Sequence, residues 1–563
     1  MIAYIFLALF TIAAVIFIVN SHYRWTYFFA ITLFTFLFGG MLMVSGQWQR
    51  ALNFSSVLFV VLMLFHRLKI HYYKQPLLIS DFFLVVDWRN WETLIHYKGA
   101  LFGVIGLLAL LGYAIFGFND VESLGILGNS IGALLFIVSF SLMWHYSKKP
   151  SAVQVWLDSL PDDGRDVFLN LPMSCRGIFF KVPNFDGNSQ NFIEKMTTLS
   201  SDTNKVSETN KVSETNKVSE TKPDIVVTLM ESTLNPHQFA FSQQSIPALS
   251  MFEPQNDTVF ASPLRVHTFA GATWKSEFAF LAGVPSTDFG ALASGVFYSV
   301  VPHLQSGLVK NLKAQGYFCV ALSPFTKGNY NAKSAYDHFG FDLMLQPQDL
   351  GYPAPISKNL WDISSEEMMK YTRMILEKQH PALENVDQPM FVYVLTMREH
   401  GPYELGMENT FNLQMPNFGT KSISALNDYT QRIVALNDAI EGMNNYLHER
   451  KKPFVLGYFG DHQVAFDNVI PPKKGDHAQP DYVTQFVVRS SCASQFKQEQ
   501  RFLDLAFAGG VLMNVAGLSA EDEFMKANMA MCKLSNGKLE DSSNPAFVND
   551  YRHYLYQTLK IAK

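Results

Sequence analysis

The feature that most constrains the fold is the concentration of long apolar stretches in the first 150 residues. Residues 2–20 are almost entirely apolar, and about 20 apolar residues cross the hydrocarbon core of a bilayer. This stretch has no basic flank and no small-residue cleavage site, so we interpret it as a retained span rather than a signal peptide. Similar stretches occur at about 25–45, 51–66, 99–118 and 125–145, of which 51–66 is the shortest. We therefore predict a five-helix transmembrane domain in residues 1–150.

A repeated hexapeptide follows the membrane region. Residues 203–221 read TNKVSE three times and then Thr221, with one apolar residue in each copy. So few apolar residues cannot bury a continuous core, and the pattern is typical of a solvated tether rather than a solenoid. We predict that residues 151–222 form a connecting segment and that a globular domain occupies residues 223–563.

The globular part alternates between strand-like and helical patterns. Helical patterns cover about 303–316 and 423–450. Apolar runs without alternation are typical of strands buried on both faces of a mostly parallel sheet, so we predict an α/β fold. These runs are DIVVTLM (224–230), YFCVALS (317–323), FVYVLTM (391–397), PFVLGYF (453–459) and TQFVVRS (484–490).

Charge and cysteine content exclude two classes of function. A net charge of −5 is too small to indicate a nucleic-acid partner. The four cysteines form no CxxC pair, which argues against a cysteine zinc site and leaves disulfides and buried thiols equally open. These cysteines are Cys175, Cys319, Cys492 and Cys532.

Polar side chains follow three of the predicted strands. Glu231 ends the first, His400 comes shortly after the third, and the pair Asp461-His462 ends the fourth. Taken singly, each has an ordinary interpretation as a capped loop or a surface histidine. The carboxyl ends of parallel strands meet at one edge of a sheet, so we expect these groups to converge there. Two carboxylates and an imidazole suit Zn²⁺ or Mn²⁺, and we expect Gly460 to let the backbone turn close to the ion.

A hydroxyl that could act as a nucleophile lies between these strands. The small residues Ala270, Gly271 and Ala272 precede Thr273, and a helical pattern begins at once. A hydroxyl at a helix N-terminus lies at the positive end of the helix dipole, where phosphate groups bind. An ordinary N-cap threonine is the alternative interpretation.

Four of these segments together resemble a known family. VVTLMES (226–232), GATWKSEFAFLAGVP (271–285), HGPYE (400–404) and FGDH (459–462) occur in the order seen in the alkaline-phosphatase/sulfatase superfamily. The resemblance is closer to the membrane-anchored branch, which contains lipoteichoic acid synthase, phosphoglycerol transferases of periplasmic glucans and lipooligosaccharide phosphoethanolamine transferases. It implies that Glu231, Thr273, Asp461 and His462 bind the metal, that Thr273 is also the nucleophile, and that His400 contacts the substrate phosphate or the leaving oxygen.

The segment YNAKSAYDHFGFD (330–342) departs from the family pattern. By the resemblance, lipoteichoic acid synthases have Trp-Asn-Arg at the positions where this chain has Tyr330-Asn331-Ala332. The arginine that would contact a glycerol phosphate is therefore absent, although Lys333 is adjacent. This favours phosphoethanolamine as the transferred group, with Tyr330 and Lys333 near the substrate. His477 loosely resembles a late active-site histidine of phosphoethanolamine transferases, and a plain loop histidine is the alternative.

The resemblance implies an enzyme that transfers a phospholipid head group to an envelope glycan such as lipooligosaccharide, through a phosphothreonine. Phosphoglycerol transfer and metal-dependent hydrolysis remain alternatives. Sulfatases of the superfamily carry Cys or Ser in a CxPxR or SxPxR context, whereas Cys175 is followed by Arg176-Gly177. A protein that kept the fold and lost the chemistry is disfavoured because all four ligand positions carry suitable residues.

Two arguments about membrane orientation conflict. Basic residues after the third span, among them Arg67, Lys69 and Arg89, and Lys148-Lys149 after the fifth, would place the soluble domain in the cytoplasm. The resemblance implies a glycan acceptor outside the cytoplasm. We therefore expect a multi-pass protein of the bacterial inner membrane whose catalytic domain faces the periplasm, with the basic loop beside the lipid phosphates.

Overall fold

The computed structural model describes most of the chain, in two compact units. It does not describe residues 1–9, 19–22, 74, 97, 117–122, 160–166, 176, 178, 210–221, 240–245, 404–410, 412, 414–419, 467–479, 492–497, 500–501 and 541. The first unit comprises Met1–Phe180 with Gly290–Gly295, and the second comprises Lys181–Phe289 with Val296–Lys563. The boundaries predicted at residues 150 and 222 fall within these units rather than between them.

The first unit is helical. Three of its helices are long and apolar enough to cross a membrane, at Arg24–Ser45, Trp48–His71 and Gly125–Tyr146, and they match the second, third and fifth predicted spans. The third predicted span, expected to be the shortest, lies within a helix of 26 residues. The fourth lies in a helix whose apolar part, Phe102–Tyr113, is shorter, and of the first only residues 10–18 are described, as helix. The helices of this unit are Arg24–Ser45, Trp48–Tyr73, Asp81–Val86, Trp91–His96, Lys98–Phe116, Gly125–Tyr146, Pro150–Ser159 and Val167–Cys175.

Glycines let two of the apolar helices approach each other closely. A Cβ on Gly132 would lie 2.2 Å from the main-chain nitrogen of Met43, and one on Gly39 would lie 2.6 Å from that of Phe136. Small residues at such crossings allow backbone contact, which replaces the hydrophobic driving force that lipid cannot supply. The helices Arg24–Ser45 and Gly125–Tyr146 therefore form a tightly packed pair.

Two cations of the basic segment after the third span pair with carboxylates of the same segment. Lys69 pairs with Asp81 at 2.6 Å and Arg89 pairs with Asp87 at 2.6 Å. Trp88 is 77% exposed, as an interfacial tryptophan would be. Because Lys69 and Arg89 each pair with an aspartate, the expectation that this segment holds lipid phosphates is weakened. Lys74 lies outside the described residues.

The second unit is built on a mixed sheet. Its strands are β1 Asp224–Met230, β2 Thr258–Arg265, β3 Phe318–Leu322, β4 Leu343–Leu345, β5 Met390–Leu395, β6 Phe454–Gly460, β7 Val483–Ser490, β8 Gln498–Glu499 and β9 Leu503–Asp504. Their order in the sheet is β4-β3-β5-β1-β6-β7-β2-β8, and β9 also pairs with β2. The first five strands in this order are parallel, and β7 is antiparallel to both β6 and β2. The predicted α/β class with a mostly parallel sheet is confirmed.

Helices cover this sheet and bury its central strands. Every residue of β1, β5 and β6 is buried, as the continuous apolar runs predict. The first copy of the hexapeptide repeat lies at the end of the helix Ser189–Thr209, and the rest lies outside the described residues. The principal helices are Ser189–Thr209, Thr273–Ala282, Val296–Ser299, Leu308–Ala314, Ala332–Phe339, Ser365–Leu376, Thr420–Glu449, Ala508–Val515, Glu523–Leu534 and Pro545–His553.

The described cysteines are free thiols. Cys175 is exposed, whereas Cys319 and Cys532 are buried, and Cys492 lies outside the described residues. Of the two interpretations left open by the sequence, the structure supports thiols for these three residues.

Candidate active site

The register between β1 and β6 brings two carboxylates together. Met230 pairs with Gly460, so Glu231 and Asp461 follow at adjacent positions beyond the carboxyl ends of neighbouring parallel strands. The main-chain N–H of Ser232 donates to Oδ1 of Asp461 at 2.8 Å, and the N–H of Asp461 donates to the carbonyl oxygen of Met230 at 3.2 Å. Glu231 and Asp461 are 2% and 0% exposed, so the sheet edge holds both acids away from water.

Gly460 is needed here for space rather than for a turn. It is the last residue of β6, and a Cβ on it would lie 2.0 Å from the carbonyl oxygen of Thr233. No side chain fits at that distance, so glycine allows the loop that follows β1 to lie directly on the end of β6. The sequence predicts that Gly460 lets the backbone turn, whereas in the structure glycine is required by the close approach of the Thr233 carbonyl oxygen.

His462 completes a compact group of possible metal ligands. Its Nε2 lies 3.2 Å from Oε1 of Glu231 and 3.3 Å from Oδ2 of Asp461, and ligand atoms of the three residues lie within 4.8 Å of one another. The other ring nitrogen, Nδ1, lies 3.0 Å from the carbonyl oxygen of Gln463. Since a carbonyl only accepts, Nδ1 carries a proton and Nε2 faces the carboxylates.

Two atoms of this group are buried without a hydrogen-bond partner in the part of the chain that is described. They are Oδ2 of Asp461 and Nε2 of His462, whose separation is only 3.3 Å. Unsatisfied buried polar atoms are costly and rare in folded proteins. Two of them directed at one point, beside a second carboxylate, fit a bound Zn²⁺ or Mn²⁺ ion.

The electrostatics of the group also favour a cation. Burial and the negative charge of Glu231 raise the pKa of Asp461. Burial opposes ionisation of Glu231 as well, but the adjacent His462 imidazole and the charge of His400 lower its pKa. Burial would lower the pKa of His462, yet the negative charges of Asp461 and of the adjacent Glu231 raise it to about 9. The two buried carboxylates therefore favour a positive charge at this site.

Thr273 points its hydroxyl into this group. Oγ1 donates to Oε2 of Glu231 at 3.0 Å, and the residue is the first of the helix Thr273–Ala282. The N-cap position belongs to Ala272, which makes no side-chain cap, so the alternative interpretation of Thr273 as an ordinary N-cap is wrong. A helix N-terminus, a hydroxyl and three ligand residues therefore meet at one point.

The loop that presents Thr273 is held in an unusual conformation. Ala270, Gly271 and Ala272 have φ angles of 57°, 149° and 63°, a region that residues with a Cβ rarely adopt. The N–H of Ala270 donates to the carbonyl oxygen of Gln463 at 3.1 Å, and Thr268 Oγ1 donates to that of Gly271 at 2.5 Å. Such strain persists only where surrounding contacts impose it, and it is common at active sites.

His400 lies in the loop after β5. It is half-buried, and its Nδ1 donates to the carbonyl oxygen of Gly401 at 2.5 Å. Arg432, on the helix Thr420–Glu449, donates to the carbonyl oxygens of Arg398 at 2.9 Å and of His400 at 2.8 Å.

The remaining predicted site residues differ in their surroundings. Tyr330 is buried and donates its hydroxyl to Oε1 of Glu277 at 3.1 Å, while its ring lies 5.7 Å from that of Trp274. Lys333 forms an ion pair with Asp337 at 2.6 Å and is 46% exposed. His477 lies outside the described residues.

Several residues of the site were missed by sequence reasoning. Glu277 lies one turn after Thr273, is fully buried, and accepts hydrogen bonds from Tyr330 and Tyr336. Burial raises its pKa to about 8, against the lowering effect of the two hydroxyls. A carboxylate one turn beyond Thr273, followed by the apolar run FAFLA (278–282), was the available signal. Tyr429, whose hydroxyl donates to the carbonyl oxygen of Ser232 at 2.8 Å, offered no signal, because it lies in an amphipathic helix far along the chain.

Comparison with known proteins agrees with this geometry. Residues 223–516 match the sulfatase family, a region that runs from just before β1 to the helix Ala508–Val515. An uncharacterized protein of Haemophilus influenzae is 94% identical over 563 residues, which are 100% of both chains. A putative cyclic beta-1,2-glucan modification protein of Rhizobium meliloti is 23% identical over 363 residues, covering 59% of this chain and 54% of that protein.

A solved structure shares the fold. The Streptococcus pyogenes phosphoglycerol transferase GacH, in complex with sn-glycerol-1-phosphate, superimposes with a TM-score of 0.52 at 18% sequence identity. The match covers 67% of this chain and 94% of that chain. The fold of this chain is thus shared with a solved structure.

Proposed function

Because the chain belongs to the sulfatase family, we propose that it is a metal-dependent phosphotransferase that moves a phospholipid head group to a cell-envelope glycan. The observation that carries the proposal is the hydrogen bond of 3.0 Å between Thr273 Oγ1 and Glu231, beside the unsatisfied atoms of Asp461 and His462. A nucleophile, a helix N-terminus and a metal-ligand set in one buried place are the parts that phosphoryl transfer requires.

The metal would be held by Glu231, Thr273, Asp461 and His462. When bound, it would supply positive charge that favours ionisation of the threonine hydroxyl and offsets the charge on the transferred phosphate. The buried carboxylates of Glu231 and Asp461 are held in position for metal binding by the sheet and by a main-chain donor. We propose Zn²⁺ or Mn²⁺.

The reaction proceeds in two displacements. In the first, Thr273 Oγ forms a bond to phosphorus while the bond from phosphorus to the diacylglycerol oxygen breaks. The Thr273 hydroxyl donates its hydrogen bond to Glu231, so its proton leaves towards that carboxylate. The diacylglycerol oxygen takes up a proton as it is released. The helix N-terminus at Thr273 stabilises negative charge on the transferred group.

In the second displacement, a sugar hydroxyl of the acceptor attacks phosphorus and the bond to Thr273 Oγ breaks. His400 takes the proton from the acceptor hydroxyl, and the threonine oxygen regains one. The loop that carries His400 is positioned for this task by the main-chain contacts of Arg432. The acceptor is an envelope glycan, for instance lipooligosaccharide.

We propose phosphoethanolamine as the transferred group, and phosphoglycerol is the alternative. The chain has Ala332 where related glycerol-phosphate enzymes have arginine, and Lys333 is paired with Asp337 at 2.6 Å rather than available to the substrate. Phosphoethanolamine brings its own cation and needs fewer basic residues. The donor stays in the bilayer, so apolar helices in the same chain keep the enzyme beside it, with the catalytic unit on the periplasmic side.

The test uses the full-length protein in lipid nanodiscs that contain phosphatidylethanolamine and phosphatidylglycerol. Mass spectrometry of the Thr273 peptide should show a phosphoethanolamine adduct in the wild-type protein and none in Thr273→Ala, while Thr197→Ala, an exposed threonine of the same unit, keeps the adduct. A glycerol-phosphate adduct would overturn the head-group choice. An unchanged adduct yield in Thr273→Ala would overturn the nucleophile, and phosphate release to water without transfer to added glycan would overturn the transferase.

A further inference from the structure

A continuous row of aromatic rings lies beside the candidate active site. Successive ring centroids are 5.7 Å apart for Trp274 and Tyr330, 5.9 Å for Tyr330 and Phe325, 5.2 Å for Phe325 and Trp361, and 5.6 Å for Trp361 and His400. We call these five residues the ring row. These four ring-to-ring contacts involve none of the possible metal ligands Glu231, Asp461 and His462.

The ring row begins at the nucleophile and ends at the proposed proton acceptor. Trp274 directly follows Thr273, Phe325 comes shortly after the end of β3, and His400 lies in the loop after β5. All three positions are at the carboxyl edge of the parallel strands, where Glu231 also lies. A group bound to Thr273 would extend along this row.

The inner rings form a rigid floor and the outer rings are accessible. Phe325 and Tyr330 are 5% and 6% exposed, whereas Trp274, Trp361 and His400 are only partly buried. Tyr330 has a φ of 34°, and its hydroxyl is held by Glu277 at 3.1 Å. The neighbouring Asn331 donates from Nδ2 to the carbonyl oxygen of Phe297 at 3.0 Å. A strained residue fixed from both sides provides a preorganised surface.

Three basic side chains near the row each have a carboxylate partner. Lys327 lies 3.3 Å from Asp349, and Arg398 lies 3.0 Å from Asp362. Lys333 lies 2.6 Å from Asp337. The positive charge of these three residues is therefore partly offset beside the row.

We propose that the ring row is the subsite for the ammonium group of the transferred head group and that it selects ethanolamine over glycerol. The inference rests on the proposed function and adds the residues that determine its specificity. An ammonium ion is attracted to the faces of Trp, Tyr and Phe rings, and most strongly where water is partly excluded. Neutral glycerol gains no such attraction, so Trp361, a partly exposed ring between Phe325 and His400, is the residue whose loss should change the preference.

The kinetic test compares two donors in nanodiscs. For phosphatidylethanolamine, Trp361→Ala should lower kcat/KM by about tenfold, whereas for phosphatidylglycerol it should stay within about twofold. Trp361→Phe, which keeps a ring, should retain most of the preference. An equal fall for both donors would overturn the inference and assign Trp361 a structural role. A raised KM for the glycan with an unchanged donor preference would also overturn it, in favour of a sugar-stacking surface.

A binding test separates this inference from the proposed function. In the Thr273→Ala protein, calorimetric titration with O-phosphoethanolamine and with sn-glycerol phosphate needs no catalysis. We expect tighter binding of phosphoethanolamine and loss of that difference in Thr273→Ala with Trp361→Ala. If the preference is present but no transfer occurs in the wild-type protein, the subsite stands and the proposed function fails. If transfer occurs and the two ligands bind equally, the subsite fails alone.

Discussion

Ser276 donates a hydrogen bond from Oγ to the main-chain carbonyl oxygen of Asp461 at 2.6 Å. Ser276 lies on the helix that begins at Thr273, and Asp461 directly follows β6. Both residues are buried, so water does not compete for the contact. This single bond fixes the distance between the proposed nucleophile and one of the proposed metal ligands.

Replacing Ser276 by alanine should slow the reaction without unfolding the protein. The change leaves a buried carbonyl oxygen unsatisfied, which costs about 1–3 kcal/mol of stability. Because the helix then shifts relative to Asp461, we expect kcat to fall by at least tenfold with a smaller change in KM for the donor. Ser519→Ala, an exposed serine, serves as the control and should keep full activity. Wild-type kcat in Ser276→Ala would show that the bond does not position Thr273.

Removal of the metal should destabilise the protein as well as inactivate it. An ion that binds only the folded state stabilises it by about 2.7 kcal/mol at a hundredfold excess over Kd. We expect chelation to lower the melting temperature and added Zn²⁺ or Mn²⁺ to restore it in the wild-type protein. In His462→Gln the thermal response to metal should disappear, whereas His338→Gln, an exposed histidine, keeps it. A full response in His462→Gln would remove that residue from the ligand set.

Tyr429 should control metal affinity from outside the ligand set. Its hydroxyl donates to the carbonyl oxygen of Ser232 at 2.8 Å and accepts from the N–H of Leu234 at 3.0 Å, so it holds the loop that follows Glu231. Tyr429→Phe should weaken metal binding by about tenfold, measured by calorimetry on the apoprotein. Tyr446→Phe removes a hydroxyl from the same helix, one bonded to Glu377, and should leave affinity unchanged. Equal affinities in the two variants would contradict this role.

Stability should depend on pH through His267. Its Nε2 lies 3.0 Å from Asp504 and its Nδ1 lies 3.5 Å from Glu540, all within the second unit. Burial alone would lower its pKa, but the two negative charges raise it from 6.5 to about 10. The folded state therefore binds the proton more tightly, so the stabilisation is complete below about pH 6.5 and is lost as pH rises towards 10.

Urea titrations of the wild-type protein and His267→Gln across this range provide the measurement. The stability difference between them should be constant at low pH and shrink steadily between pH 7 and pH 10. The His338→Gln protein should follow the wild-type curve throughout, because that residue is exposed. A difference that grew with pH would mean that His267 is buried as the neutral form.

Orientation in the membrane can be measured with reporter fusions. We expect a reporter that is active only in the cytoplasm to be silent when fused after Lys149, because we propose that the catalytic unit faces the periplasm. The same reporter fused after Gly46, between the helices Arg24–Ser45 and Trp48–Tyr73, should be active, since two predicted spans, an even number, precede this point, whereas five precede Lys149. A strong signal after Lys149 would place the catalytic unit in the cytoplasm and exclude the proposed acceptor.

The central strands were predictable and their long-range contacts were not. β1, β5 and β6 are buried along their whole length because both faces are covered, and their mostly apolar runs allow their ends, and with them Glu231 and Asp461, to be located in the sequence. β2 was missed because it contains Pro263 and alternates in burial near its middle, and β4 has only three residues. Short edge strands carry too little periodicity to be recognised.

The chemistry of the site was harder to predict wherever it depends on partners distant in sequence. The bond from Tyr429 to the carbonyl of Ser232 joins residues 197 positions apart, and no local pattern marks either one. Conversely, Lys333 was expected near the substrate by its position, but an aspartate four residues on, Asp337, engages it on the same helix. Tertiary contact decides the first case and is not encoded in spacing, whereas the pair of Lys333 and Asp337 has the i,i+4 spacing of neighbours on a helix.

The crowded position of Gly460 restricts how this protein can evolve. Almost any residue of β6 can be exchanged for another apolar residue of similar volume, with repacking around it. At Gly460 even one methyl group would meet the Thr233 carbonyl at 2.0 Å and push the loops carrying Glu231 and Asp461 apart. Lineages that retain the activity are therefore confined to glycine here, and an alanine at this position would identify a homologue that has abandoned the reaction.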